Sequence, residues 1–239
     1  MPPFRCFRTM VLSISFMKSG ANKNMDAEFY QTIIPMLLSG IKITFFIAVT
    51  GIIIGLVIGS LCGYILQTTI KPLKAVAEAY IWVIRATPLM VQALYVYFVI
   101  PKWLGIDLPA NTVGIIVIAL NSGAFMSEIV KGALQSVDPG QKEAAASLGL
   151  GKAQILFHVV IPPAFKIAMP GLFNQFIISV KDTALLSVIT VNEVTHQAQN
   201  YAALSFQTIP TYTVLALFYL VVISVLIVLQ KWVEKKFGC

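Results

Sequence analysis

Charge is what this sequence lacks. Asp, Glu, Lys and Arg make up 11% of its 239 residues, and 58% are hydrophobic. A soluble domain carries about 25% charged residues, so this chain cannot present a polar surface to water on every side. Cysteine and histidine are scarce as well. Cys6, Cys62 and Cys239 are odd in number, far apart and without CxxC spacing, which argues against a disulfide framework or a zinc site. His158 and His196 add no recognisable metal-ligand cluster. Tandem repeats of solenoid length and low-complexity linkers are missing. So is a P-loop: the nearest fragment, Gly149-Leu-Gly-Lys152, lacks the spaced first glycine and the following Ser or Thr. No nucleophile–base pair is legible, which leaves a membrane enzyme without a catalytic centre. The formal charge of +7 does not indicate nucleic acid, because the lysines sit at the ends of apolar runs rather than in one basic patch.

Long apolar runs are what is present, and mean hydropathy is +0.84. Each crossing of a bilayer needs roughly 20 apolar residues. Five candidates occur, at about 43–66 (with an apolar lead-in from Ile33), 73–100, 112–134, 165–189 and 212–232. All should be helices, since an open strand cannot satisfy its backbone in lipid. The expected class is an all-α membrane protein with five transmembrane helices. With the loop after the first span in the cytoplasm, that side collects Lys71, Lys74, Lys131, Lys142, Lys152, Lys166, Lys231, Lys235 and Lys236. Lys102, Lys181 and Lys42 are left opposite, so the positive-inside bias puts the N-terminus out and the C-terminus in. Arg5, Arg8, Lys18 and Lys23 in the tail resist that translocation. The run Met10–Met17 has some signal-peptide character but no cleavage site follows. The preferred reading is a start assigned too far upstream, with Met17 or Met25 as the true start. Residues 1–28 are then a tail and 29–239 one membrane domain.

Within the spans, Gly51, Gly55, Gly59 and Gly63 recur every fourth residue and predict a smooth helix face for close packing. Arg85, Glu128, Lys181 and Asp182 are charges placed in apolar spans, each costing about 2.5–3.5 kcal/mol or more at mid-bilayer. Two readings stay open for them: internal ion pairs between helices, or a polar path for a charged or zwitterionic solute. Pro88 should kink the second span and free carbonyls, and Pro170-Gly171 should do the same in the fourth. Asn121, Ser122, Asn174 and Gln175 lie at similar depth, as helix-to-helix bonds or as solute contacts.

The loop between the third and fourth spans, 136–162, is the most informative stretch. Glu143 to Leu148 favours helix, Gly149 and Gly151 interrupt it, and Ala153 to Val160 can start a second short helix that Pro162 and Pro163 would end. Its pattern Glu143-Ala144-Ala145, Gly149, Val159, Ile161, Pro162 resembles the EAA coupling-helix loop of ABC-importer permeases. Three further stretches are similar to the polar amino-acid branch of that family: Arg85-Ala-Thr-Pro-Leu-Met-Val-Gln92, Asn121-Ser-Gly-Ala-Phe-Met-Ser-Glu-Ile-Val-Lys-Gly132 and Lys181-Asp-Thr-Ala-Leu-Leu-Ser187. The likeness runs from about Phe29 to the C-terminus. Most members have Ser where Ala184 stands.

The resemblance implies a permease subunit of an ATP-driven importer in the bacterial inner (cytoplasmic) membrane, not an enzyme. Glu143, Ala144, Ala145, Gly149 and Pro162 would dock on a cytoplasmic ABC ATPase. ATP and Mg belong to that partner, and this chain itself holds no cofactor. The other implied partners are a second permease chain, as homodimer or heterodimer, and a periplasmic or lipid-anchored amino-acid-binding protein. The candidate substrate path is Arg85, Asn121, Ser122, Glu128, Asn174, Gln175 and Asp182. Arg85 would take a carboxylate, and Glu128 or Asp182 an amine. An amide at position 175 suits a neutral polar side chain, whereas basic amino-acid permeases tend to carry Glu there; with Glu193-Val-Thr-His-Gln-Ala-Gln199 this points to glutamine. The alternative from the residues alone is an ion-gradient-driven secondary amino-acid transporter, in which Glu128 and Asp182 relay protons.

Overall fold

Helices carry all the regular structure in the computed structural model, which describes residues 23–237; no strand occurs among the described residues. Of the expected tail, residues 1–22 lie outside the described residues, and with them Met17. Four helices are long and apolar enough to cross a membrane, and five crossings result if one bent pair counts as a span.

The first helix, α1 (Lys23–Ile65), has 43 residues and is therefore about 65 Å long. The expected span at 43–66 and its lead-in are one continuous rod. Pro35 lies inside it without ending it, because Ile33 and Leu37 on either side are fully buried against Val194 and Ala198. Beyond that point the glycine strip takes over. A Cβ on Gly51 would meet Ile118, one on Gly55 would meet the Ser122 hydroxyl, and one on Gly59 would stand 2.7 Å from Met126 Cβ and 2.9 Å from the Gly123 carbonyl. The partner is the later helix Ala110–Gln135, so the smooth face read from the sequence is where two backbones meet. A Gly59→Leu substitution should cost about 3 kcal/mol or more through overpacking against backbone that cannot yield. The check is the thermal midpoint and monodisperse yield of the purified protein; an unchanged midpoint would mean the two helices can part.

After a short turn, α2 (Lys71–Ala86) ends at Thr87, whose φ −115°, ψ 139° is extended. The residue before a proline is pushed out of the helical region, and Pro88 is itself extended before α3 (Leu89–Leu94) begins. The expected kink is thus a full break: the second arm of the span turns by 105° from the first. The second arm passes through a π-helical turn, Tyr95–Val99, into α4 (Ile100–Leu104). Then α5 (Ala110–Gln135) runs through the middle of the bundle with thirteen buried residues, more than any other helix among the described residues. Its Leu120 carbonyl accepts a hydrogen bond from Tyr80 Oη at 2.7 Å, tying α2 to α5.

The loop beyond α5 forms α6 (Pro139–Ser147), capped by Asp138, whose side chain accepts from the Gly140 N–H at 2.9 Å. Gly149 follows with φ +81°, a left-handed conformation that side chains oppose. From there the chain departs from expectation. The second short helix does not stop at Pro162 and Pro163; Lys152–Gln154, a π-helical turn Ile155–Val160, α7 (Ile161–Asp182) and the 3₁₀ turn Thr183–Ile189 follow without interruption. The result is one apolar rod of 38 residues, Lys152–Ile189. Proline is tolerated in the first turn of a helix, where its missing N–H has no obligatory acceptor, and the π register just before it relaxes the pairing. Pro170-Gly171 does not break the rod either. A Cβ on Gly171 would meet Ile129 of α5 at 3.0 Å, so this glycine allows close packing of the two helices.

One helix has no counterpart among the five runs: α8 (Val194–Ser205), which packs on α1 before the last span, α9 (Thr208–Phe237). Glu193 caps it from a fully buried position. Its carboxylate accepts from the backbone N–H of Thr195 (2.8 Å) and His196 (2.6 Å) and from Tyr219 Oη of α9 (3.2 Å). Burial outweighs these bonds and pushes the Glu193 carboxyl up from 4.5 to about 7. A raised value means that the fold favours the protonated form. Stability from this group is therefore highest below pH 4.5 and falls as the pH rises towards 7. The loss is on the order of 2–3 kcal/mol. The purified protein should melt higher at pH 5 than at pH 8, and Glu193→Gln should flatten that slope; an equal slope in the variant would exonerate this carboxyl.

Candidate substrate pocket

Three helices place their polar residues around one hollow. The last turn of α2 and the break beyond it supply Ile84, Arg85, Thr87 and Leu89; α5 supplies Asn121 and Phe125; α7 supplies Gln175, Ile178 and Asp182. Spacings of four on α5, and of three and four on α7, set each group on one helix face. The hollow measures about 260 Å³, near the lower end of the ~300–1,000 Å³ usual for small-molecule sites.

Its electrostatics are those of a divided site. Arg85 stacks its guanidinium over the Phe125 ring at 5.4 Å and reaches Glu128 at 4.0 Å, while Lys131 stands 4.0 Å from the other Glu128 oxygen. Arg85 is thus a helix-to-helix ion pair and also a wall of the pocket. Asp182 has no ion-pair partner on another helix among the described residues. Asn121 and Gln175 are 7% and 4% exposed. Neither amide is hydrogen-bonded within the described chain. Both amides are left able to hydrogen-bond whatever the pocket holds.

Four of the seven residues expected on the path therefore meet here: Arg85, Asn121, Gln175 and Asp182. The other three do not line the pocket. Ser122 turns to the glycine strip and bonds the Ala119 carbonyl at 3.4 Å. Asn174, one residue before Gln175, is exposed on another side of α7. Glu128 lies off the pocket and pairs with Arg85 and Lys131. Phe125 escaped the sequence reading, although it lies four residues after Asn121 and beside Arg85.

The break itself is tied. Pro88 has no N–H to give to the Ile84 carbonyl four residues back, and a backbone carbonyl left bare in a bilayer costs several kcal/mol. Gln92 Nε2 donates to that carbonyl at 2.8 Å and also lies 3.0 Å from the Thr87 carbonyl and 2.9 Å from Thr87 Oγ1.

At the far end of the 38-residue rod, α6 stands as a knob. Ala145 is buried, Glu143 and Ala144 are exposed, and Leu148 is 81% exposed. Pro162 sits in the first turn of α7. No group of three or more His, Cys, Asp or Glu is placed to hold a metal among the described residues.

Residues 55–238 match the family described as the binding-protein-dependent transport system inner membrane component. The chain belongs to that family. It is 37% identical to the glutamine transport system permease protein GlnP of Escherichia coli (strain K12) over 204 residues, 85% of this chain and 93% of that one. The arginine transport system permease protein ArtQ of Bacillus subtilis (strain 168) is 33% identical over 214 residues, 89% and 98% of the two chains. A crystal structure of an amino acid ABC transporter with histidines superposes with a TM-score of 0.81 at 34% identity, covering 90% of this chain and 99% of that one. This ABC-importer permease is a transport component of the inner membrane and not an enzyme; ATP hydrolysis falls to a separate subunit, and the ion-gradient alternative is set aside. The family assignment implies ATPase, solute-binding and permease partners.

Proposed function

We propose that this permease forms the path for a polar, zwitterionic amino acid, glutamine first. The observation behind this reading is the pocket, where one guanidinium, one carboxylate and two unbonded amides line about 260 Å³. Arg85 receives the α-carboxylate as a planar fork, and Asp182 receives the α-ammonium. Asn121 and Gln175 pair with the side-chain amide, each able both to donate and to accept. The glutamine permease among the relatives supports the cargo.

In this reading the N-terminus is outside and the C-terminus inside, which puts 136–162 in the cytoplasm. Glu143, Ala144, Ala145 and Gly149 then dock in a cleft of the ATPase that carries ATP and Mg, with Pro162 starting the rod behind them. Residues 29–239 act as one membrane domain. Two permease chains, identical or similar, complete the path, and a periplasmic or lipid-anchored binding protein loads it from outside.

The test is uptake in proteoliposomes holding the permease, its ATPase and its binding protein, with labelled glutamine, glutamate, arginine and histidine in parallel. Glutamine-dominated uptake that vanishes without ATPase is expected. Preference for arginine would reject the cargo, and uptake that persists without ATPase but collapses with the proton gradient would reject the mechanism.

A further inference from the structure

We infer that Gln92 is a positioning residue of the transport path, a clasp whose side-chain amide fixes the broken second span and thereby the place of Arg85 and Thr87 in the pocket. The inference rests on the pocket reading above.

Three observations carry it. The break leaves a specific vacancy in the hydrogen-bond ladder: the Ile84 carbonyl should pair with the N–H of residue 88, which is a proline. Gln92 supplies the missing donor at 2.8 Å, from the other arm of the break. The same nitrogen reaches the Thr87 carbonyl and hydroxyl at 3.0 and 2.9 Å, so one side chain grips both the last turn of α2 and the extended corner. Thr87 Oγ1 in turn donates to the Val83 carbonyl at 2.8 Å, which locks the corner onto α2.

The consequence for the pocket is geometric. Ile84, Arg85, Thr87 and Leu89 line the pocket, and the segment 84–89 runs from the carbonyl that Gln92 grips to the first residue of the helix that bears it. Two extended residues at a turn of 105° between helices would otherwise form a hinge. Gln92 is not among the pocket-lining residues, so its effect on transport must pass through the corner it holds. Only an N–H donor of this reach can do so. A carboxylate of the same shape would face two carbonyl oxygens and be repelled.

The experiment uses the assembled transporter in liposomes, with Cys6, Cys62 and Cys239 replaced by Ser and spin labels at Val76→Cys on α2 and Trp103→Cys on α4, both exposed positions. Double electron–electron resonance reads the angle between the arms, and uptake per ATP hydrolysed reads coupling. In the parent the two labels within one chain should give one narrow distance, apart from those between chains. Gln92→Glu and Gln92→Leu at pH 8 should broaden it and lower uptake per ATP about tenfold, with the complex still assembled and hydrolysing ATP. At pH 5 the carboxyl of Gln92→Glu regains a donor and the distance should narrow again, while Gln92→Leu stays broad; this rescue separates a clasp from a general packing defect. A narrow distance in both variants at pH 8, or broad distances with unaltered uptake per ATP, would overturn the inference. Arg85→Ala with normal uptake would instead condemn the pocket reading, whatever the distances report.

Discussion

Gly149→Asp in the assembled importer should lower ATP-driven uptake at least about tenfold while yield, thermal midpoint and binding of amino acid to the permease stay near parent values. The separation of the two effects follows from the local geometry. Gly149 adopts φ +81°, and a Cβ there would meet nothing within 4 Å. Asp is among the few side chains that tolerate the left-handed region, so the cost to the fold is about 1 kcal/mol or less. The turn itself is held by backbone bonds, Gly149 N–H to the Ala146 carbonyl at 2.9 Å and Leu150 N–H to the Ala145 carbonyl at 3.2 Å. What changes is the surface. A carboxylate would sit beside Leu148, whose side chain is 81% exposed, in a knob proposed to enter a cleft on the ATPase. A charge buried there without a partner costs several kcal/mol. Measuring uptake and ATP hydrolysis together decides the matter. Normal uptake would show that this loop does not carry the drive.

Gln175→Glu should move cargo preference from glutamine toward arginine. The site is 4% exposed and shares its helix face with Asp182, so the variant pocket would hold two carboxylates against one guanidinium. A neutral side chain then leaves one carboxylate buried and unpaired, whereas a cationic one neutralises it. Glutamine binding should weaken by about tenfold or more, the equivalent of 1.4 kcal/mol, and arginine binding should strengthen. Direct binding to the purified permease–ATPase complex is the right measurement, since in uptake the binding protein filters cargo first. An unchanged ratio of the two affinities would take residue 175 out of the contact set.

The sequence made the spans and the break legible because both depend on local rules. Apolar length sets a crossing, and Pro88 inside one removes a helical hydrogen bond, which marks the place of the bend but not its depth. The glycine strip is equally local: four residues at a four-residue spacing must share a face. The continuity of the rod from Lys152 was not legible, since Pro162, Pro163, Pro170 and Gly171 all argue against it in isolation. Only the π-helical turn before Pro162 and the packing of Gly171 on Ile129 reverse their meaning. The helix Val194–Ser205 was hidden by its polar composition. Its stabilising contacts are distant in sequence, with Thr44 Oγ1 accepting from the Val194 N–H and Tyr219 meeting Glu193. For the pocket, residue type selected seven candidates but helix facing retained four. Asn174 and Gln175 are adjacent in sequence and differ in exposure because successive helical residues are turned about 100° apart.

The uninterrupted run from Lys152 to Ile189 makes one wall of the pocket the long arm of a lever. About 23 residues separate its start from Gln175, roughly 35 Å of helix. A tilt of about 5° at the knob would sweep Gln175 and Asp182 sideways by about 3 Å over that length, the span of a hydrogen bond. The opposing wall, clasped at its corner by Gln92, would stay behind. Release of the cargo would then need no change of shape within either wall, only the loss of alignment between them.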